Sequence, residues 1–132
     1  MIHYPVKILM AFAETFNEGD QFFDWLMKNG YPELAALSSA VRGSDEALSW
    51  LMKNGFYHLA ALDGAIDRQP KAREWLLKHQ FELLVYLADA VNGSQPAIQW
   101  ITNQQLDIFL HIALRIRAFR DSQTFDYHKK KF

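Results

Sequence analysis

The stretch Trp25-Leu26-Met27-Lys28-Asn29-Gly30 recurs letter for letter as Trp50-Leu51-Met52-Lys53-Asn54-Gly55. It returns in weaker form at residues 75–80 and 100–105, so that a 25-residue spacing separates the only tryptophans of the chain: Trp25, Trp50, Trp75 and Trp100. Phe125 stands at the next place in the series. A fixed period of this length predicts a chain built from repeated structural units.

Apolar residues upstream of each tryptophan keep the same spacing. In the second copy Leu34, Leu37 and Val41 lie at i, i+3 and i+7, which is one face of an α-helix. The same three positions are apolar in every copy: Leu9, Leu34, Leu59, Leu84 and Phe109; Phe12, Leu37, Leu62, Leu87 and Ile112; Phe16, Val41, Ile66, Val91 and Ile116. This pattern predicts the first helix of each unit.

Glycine, serine and proline mark a second helix in each unit. Gly43 favours the left-handed backbone that ends a helix, and Ser44 is placed to cap the next one. Pro70 and Pro96 fall in the first turn of the equivalent helices, where a missing N–H costs little. We expect the tryptophan in this second helix to lie in the buried interior, beside the leucine that follows it.

Helices of about ten residues are unstable alone in water, so neighbouring copies must stabilise one another. We therefore predict an all-α fold, an α-solenoid (a right-handed superhelix) of about five 25-residue helix-turn-helix repeats. The predicted single domain covers residues 1–132, with a degraded fifth unit as its cap and a basic tail that frays from about Tyr127. The predicted units are 5–29, 30–54, 55–79, 80–104 and 105–127, and the tail is 128–132.

This arrangement resembles the α-solenoid class that includes HEAT, armadillo and tetratricopeptide arrays. The resemblance is one of architecture and singles out no family, because the units of those arrays are longer and carry other signature residues. It implies a scaffold that recognises another protein or a peptide.

Composition excludes several classes of function. The chain has no cysteine, which rules out disulfides and a cysteine nucleophile, and no apolar run approaches the ~18–20 residues that span a bilayer. The apolar stretch from Val6 to Ala13 fits the first repeat, so we interpret it as structure and expect a cytoplasmic protein. No phosphate-binding loop or zinc motif is present, and we predict no cofactor, no metal and no enzyme activity.

Two kinds of side chain remain as candidates for chemistry or binding. Asp63 and Asp67 lie one helical turn apart, with Asp89 at a related place in the next unit, so a carboxylate cluster is possible; a solvated acidic ridge is the simpler interpretation. The solvent side of the first helices carries residues that differ from copy to copy, which is typical of a partner-binding ridge. The candidate partner-binding residues are Arg42, Tyr57, Asp67, Glu82, Asp89 and Asn92.

Charge suggests nucleic-acid binding as the alternative. Residues 115–132 carry six basic and two acidic side chains, a net charge of +4, which leaves −5 for the rest of a chain whose total is −1. Contacts with phosphates would give an affinity that falls steeply with salt, although the acidic body opposes them. The candidate residues are Arg115, Arg117, Arg120, Lys129, Lys130 and Lys131.

Overall fold

The computed structural model describes residues 3–17 and 19–131, with the side chains described up to residue 123. This part of the chain is all α-helical and contains nine helices, which confirms the predicted fold class at that level. The helices are α1 (Val6–Glu14), α2 (Gln21–Lys28), α3 (Pro32–Val41), α4 (Asp45–Lys53), α5 (Tyr57–Ile66), α6 (Pro70–Lys78), α7 (Glu82–Val91), α8 (Gln95–Asn103) and α9 (Asp107–Lys131).

The odd-numbered helices, here called A helices, carry the predicted apolar face, and α2, α4, α6 and α8 are called B helices. Of the fifteen positions in the three apolar registers, all are buried except Val41, which is half-buried. The predicted helix ends are confirmed as well. Gly43 has φ +107°, the Ser44 hydroxyl accepts a hydrogen bond from the Ala47 N–H at 3.1 Å, and Pro70 lies in the first turn of α6.

The A helices close on themselves. α3 packs on α5, α5 on α7 and α7 on α9, and α9 then packs on α1. The predicted α-solenoid is an open stack, in which each end unit would have a face without a neighbour. That prediction is wrong for the described helices, because the first and last A helices contact each other and the five A helices form a ring.

The B helices lie outside this ring. Each one packs on the A helix before it and the A helix after it, and no two of the described B helices pack on each other. Grooves therefore run between successive B helices, with the outer face of an A helix as their floor.

None of the four tryptophans is fully buried, contrary to the prediction, although Trp25, Trp75 and Trp100 are half-buried and pack against the core. Trp50 is 37% exposed, whereas the next residue, Leu51, is fully buried. Adjacent residues on a helix point in directions about 100° apart, so the leucine enters the cleft between two A helices and the indole flanks it. Trp50 and Trp75 instead stack on the aromatic residue that precedes the next A helix: Phe56 and Phe81, each at 5.9 Å between ring centroids.

The fifth copy also departs from the helix-turn-helix prediction, because α9 continues unbroken to Lys131, past the predicted start of fraying at Tyr127. Ala118 stands where the second and fourth copies have Gly43 and Gly93, both at positive φ. Phe119 stands where those copies have a capping serine. The fifth copy thus has neither the glycine nor the serine with which the second and fourth copies turn, and no described B helix lies over the outer side of α9 and α1.

Candidate binding surfaces

Three of the predicted partner-binding residues lie at one end of the ring. Arg42, Asp67 and Asn92 follow α3, α5 and α7 directly, and the middle of α9 passes beside them with Arg120. We call Arg42, Asp67, Asn92 and Arg120 the end cluster. Their neighbour Arg117 places its guanidinium against Gly93.

The end cluster satisfies carbonyl groups that the helix ends leave without partners. The Arg120 Nη1 group donates to the Ile66 carbonyl at 2.8 Å, and the Asn92 amide donates to the same oxygen at 3.2 Å. Asn92 Oδ1 in turn accepts from Arg120 and from Arg68, at 3.1 Å each. Asn92 and Arg120 thus tie the end of α5 to α7 and α9.

Arg42 has a similar part at the end of α1. Its guanidinium donates to the Thr15 carbonyl and lies over the ring of Phe119, 4.9 Å from the centroid. A guanidinium over an aromatic face is attracted by the negative charge of the π system. Arg42 therefore joins α1, α3 and α9, which links it to the closure of the ring.

The predicted carboxylate cluster separates into two sites. Asp89 forms a salt bridge with Arg73 of α6, with 2.9 Å between Nη2 and Oδ2. Asp63 and Asp67 remain near each other, and burial, together with the charge of Asp67, raises the pKa of Asp63 to about 6. Among the described residues, no group of acidic and histidine side chains is arranged to hold a metal ion.

The repeat already marks Asp63 as an unusual residue for its position. The equivalent positions hold small residues that are buried: Ala13, Ser38, Ala88 and Ala113. A carboxyl group at such a position loses hydration when the helices pack, which explains why its pKa rises.

Tyr57 and Glu82 lie elsewhere, in the first turns of α5 and α7, where both are exposed. Glu82 lines a groove of about 480 Å³ together with Leu77 and Tyr86. A second groove, of about 360 Å³, lies over α3 between α2 and α4 and includes Met27 and Trp50. Of the predicted residues outside the end cluster, Glu82 thus lies in an outer groove, and Tyr57 is exposed at the equivalent place in α5.

A further surface feature was missed by the sequence analysis. Met27, Met52 and Leu77 occupy the same place in three successive B helices and are 50%, 48% and 49% exposed. We call these three residues the outer stripe. Thr102 holds the same place in α8. The identical spacing of the two methionines was visible in the repeated hexapeptide, but their exposure was not.

Two of the three arginines of the nucleic-acid alternative have described intramolecular partners. Arg115 Nε lies 3.6 Å from Glu14 Oε1, and Arg120 belongs to the end cluster. The side chains of Lys129, Lys130 and Lys131, which the same hypothesis uses, lie outside the described residues.

Within residues 3–17 and 19–131, no helix is both long and apolar enough to cross a bilayer. Comparison with known proteins adds no identity to this geometry: the chain matches no protein-family model, no curated protein and no solved structure.

Proposed function

We propose that this protein is a non-enzymatic interaction module, a closed form of the predicted α-helical solenoid, whose outer face binds another protein. A cyclic array of short repeats gives a rigid body with one apolar interior and a regular outer surface. The proposal rests on how that outer surface is built.

The observation that carries the proposal is the outer stripe. Three large apolar side chains in one register, each about half exposed, form an ordered surface, and such apolar surfaces mark sites of protein contact. Two of the three are methionines, whose unbranched side chains adapt to the shape of a partner. The stripe continues into the groove over α3, where Met27 and Trp50 face the same space.

Polar residues in the first turns of α5 and α7 suit the rim of a protein interface. Glu82 adds a carboxylate to the groove that contains Leu77, and Tyr57, at the equivalent place in α5, adds an exposed ring with a hydroxyl. Tyrosine is enriched at interfaces because it offers apolar area and a hydrogen-bonding group together. The remaining predicted partner-binding residues, Arg42, Asp67, Asn92 and Asp89, support the proposal less directly because their side chains contact other parts of the ring.

The experiment is affinity capture from a lysate of the source organism, followed by mass spectrometry. The triple variant Met27→Lys, Met52→Lys, Leu77→Lys is compared with wild type and with Thr102→Lys, which adds one lysine at the equivalent, already polar position. We expect the triple variant to lose the captured partner at least tenfold while Thr102→Lys retains it. Recovery of the same partner by a folded triple variant contradicts the proposal.

Nucleic-acid binding through Arg115, Arg117, Arg120 and the terminal lysines stays as a second hypothesis that no described contact favours. Arg115 and Arg120 already contact acceptors within the protein, and the acidic body repels a polyanion. Unchanged gel mobility of labelled DNA and RNA at low salt disposes of it.

A further inference from the structure

In the described part of the chain, the groove between α9 and α1 lacks the B helix that covers every other junction between consecutive A helices. α2, α4, α6 and α8 each bridge two A helices, whereas α9 runs straight past the place where a fifth B helix would begin. We call the uncovered outer side of α9 and α1 the fifth seat. It differs in place from the outer stripe, which lies on α2, α4 and α6.

Apolar side chains on the α1 side of the fifth seat are exposed where their equivalents are covered. Met10 is 43% exposed, whereas Ala35, Ala60 and Val85 at the same place in the next three copies are buried. Val6 is 62% exposed, and its equivalents are all at least half-buried: Tyr31, Phe56, Phe81 and Leu106.

The α9 side shows the matching feature. Leu114 is 51% exposed. Its equivalent in the third copy, Gly64, is buried beneath the B helix of its own unit, so closely that a Cβ at Gly64 would lie 2.7 Å from the Ala72 Cβ. Leu114 therefore occupies the surface on which a fifth B helix would rest.

The groove over α1 has one wall where the corresponding groove over α3 has two. Over α3, α2 supplies Phe23 and Met27 as one wall and α4 supplies Trp50 as the other. Over α1 a space of about 440 Å³ is walled by Phe22 and Trp25 of α2, and none of the described side chains that line it comes from a preceding B helix. The missing wall is the place of the fifth B helix.

The chain's own C-terminal segment is a poor occupant by sequence. The anchor of each B helix is a fully buried aliphatic residue one place after the tryptophan: Leu26, Leu51, Leu76 and Ile101. The residue at that place in the fifth copy is Asp126. Burial of an unpaired carboxylate in an apolar cleft is costly, so residues 120–131 lack the group that would hold them in the seat.

We propose that the fifth seat binds an amphipathic helix of about nine residues from a partner protein. This helix carries a small residue, an aromatic residue three places after it, and a leucine or isoleucine directly after the aromatic residue. Three of the four B helices of the chain show this chemistry in use, each with alanine as the small residue: Ala47, Trp50 and Leu51 in α4, for example.

The probe is a fluorescein-labelled peptide of residues 44–55, with Ser49→Glu joined to Lys53 by a lactam that holds it helical. Binding to the full chain is followed by fluorescence anisotropy. We expect saturable binding, at least tenfold weaker for the peptide with Leu51→Asp, which copies the defect at Asp126. Met10→Glu and Leu114→Glu in the protein should each weaken binding at least tenfold, whereas Met52→Glu, on the outer stripe, should not.

The results that overturn the proposal are distinct. The absence of saturable binding up to about 1 mM, an order-of-magnitude ceiling for a specific helix, overturns it. Binding that Met10→Glu and Leu114→Glu leave unchanged also overturns it, because the peptide would then be displacing a native B helix. A wild-type dimer that Met10→Glu converts to a monomer assigns the seat to a second copy. Peptide affinity that rises tenfold when residues 124–132 are removed assigns it to the chain's own tail. Because the outer stripe takes no part in this binding, a negative result with the peptide does not contradict the proposed function. Likewise, a negative result for the outer stripe does not contradict the proposal for the fifth seat.

Discussion

His111 and Glu14 lie 97 positions apart in the chain, yet His111 Nε2 is 3.4 Å from Glu14 Oε1. Arg115, one turn further along α9, approaches the same carboxylate oxygen at 3.6 Å. These contacts join the last A helix to the first, so the ring of A helices has no free end among the described residues. A ring of this kind buries the apolar face of all five helices, whereas an open stack leaves two terminal faces in water.

The two residues of the conspicuous Trp-Leu pair should differ in their contribution to stability. Leu51→Ala empties a fully buried site and is expected to cost about 2–5 kcal/mol in the free energy of unfolding. Trp50→Ala removes a partly exposed ring that stacks on Phe56, with an expected cost of about 1–2 kcal/mol. Urea titration followed by far-ultraviolet circular dichroism compares the two. An equal or larger cost for Trp50→Ala would contradict the finding that Leu51, and not the indole of Trp50, fills the buried site.

α5 and α6 pack closely at Gly64, since an added Cβ would lie 2.7 Å from that of Ala72. Alanine is a better helix former than glycine by about 1 kcal/mol, but overpacking costs about 1–3 kcal/mol. We expect Gly64→Ala to destabilise the protein and Ala72→Gly in that background to recover part of the loss. Ser39→Ala is the matched control at the equivalent position, with an expected change within about 0.5 kcal/mol. A stabilising Gly64→Ala would refute the close packing.

Asp63 should make stability depend on pH. Burial raises the pKa of Asp63 to about 6 in the folded protein, above the value of about 4 in an unfolded chain. The folded state therefore binds the proton more tightly, so this residue lowers the free energy of unfolding as the pH rises from about 4 to about 6. Above that window the penalty is complete.

We expect Asp63→Asn to abolish this contribution and to stabilise the protein at pH 8 by on the order of 1–2 kcal/mol, after allowance for screening by solvent. Asp24→Asn, at an exposed position of α2, serves as the control for the loss of one charge. Free energies of unfolding measured from pH 4 to pH 8 test this. If Asp63→Asn keeps the same slope as wild type across that range, the carboxyl is not the source of the pH dependence.

The sequence predicted the helices well because their signals are local. Gly43 and Ser44 act through the backbone beside them, and the register of Leu34 and Leu37 follows from the helical period alone. The unbroken α9 had a local signal too, since Ala118 and Phe119 replace the residues that turn the chain in other copies. The prediction of a buried tryptophan rested on the conspicuous recurrence of that residue, whereas the residue that is fully buried is its neighbour, Leu51.

Closure of the ring and the end cluster could not be predicted in the same way. Whether five units close or continue depends on a small rotation between neighbours that accumulates along the array, and neither Glu14 nor Arg115 reveals it in sequence. The contacts of Arg120 with Ile66 and Asn92 exist only because α9 passes those helix ends. Arg42 and Asn92 stand at a position whose residue differs from copy to copy, as binding positions do. Their contacts come from the same long-range packing.

The most direct test of the account is a distance between the first and last A helices. The chain has no cysteine, so spin labels can be placed at Lys7→Cys with Asp107→Cys, equivalent positions in the first and fifth copies, and at Lys7→Cys with Tyr57→Cys as an internal ruler between the first and third. Neighbouring helices pack about 8–10 Å apart. A closed ring predicts that the Lys7–Asp107 distance, measured by electron paramagnetic resonance, is the shorter of the two. A Lys7–Asp107 distance about twice the Lys7–Tyr57 distance would contradict the closed ring; four helix spacings of roughly that size would place it near 35–40 Å.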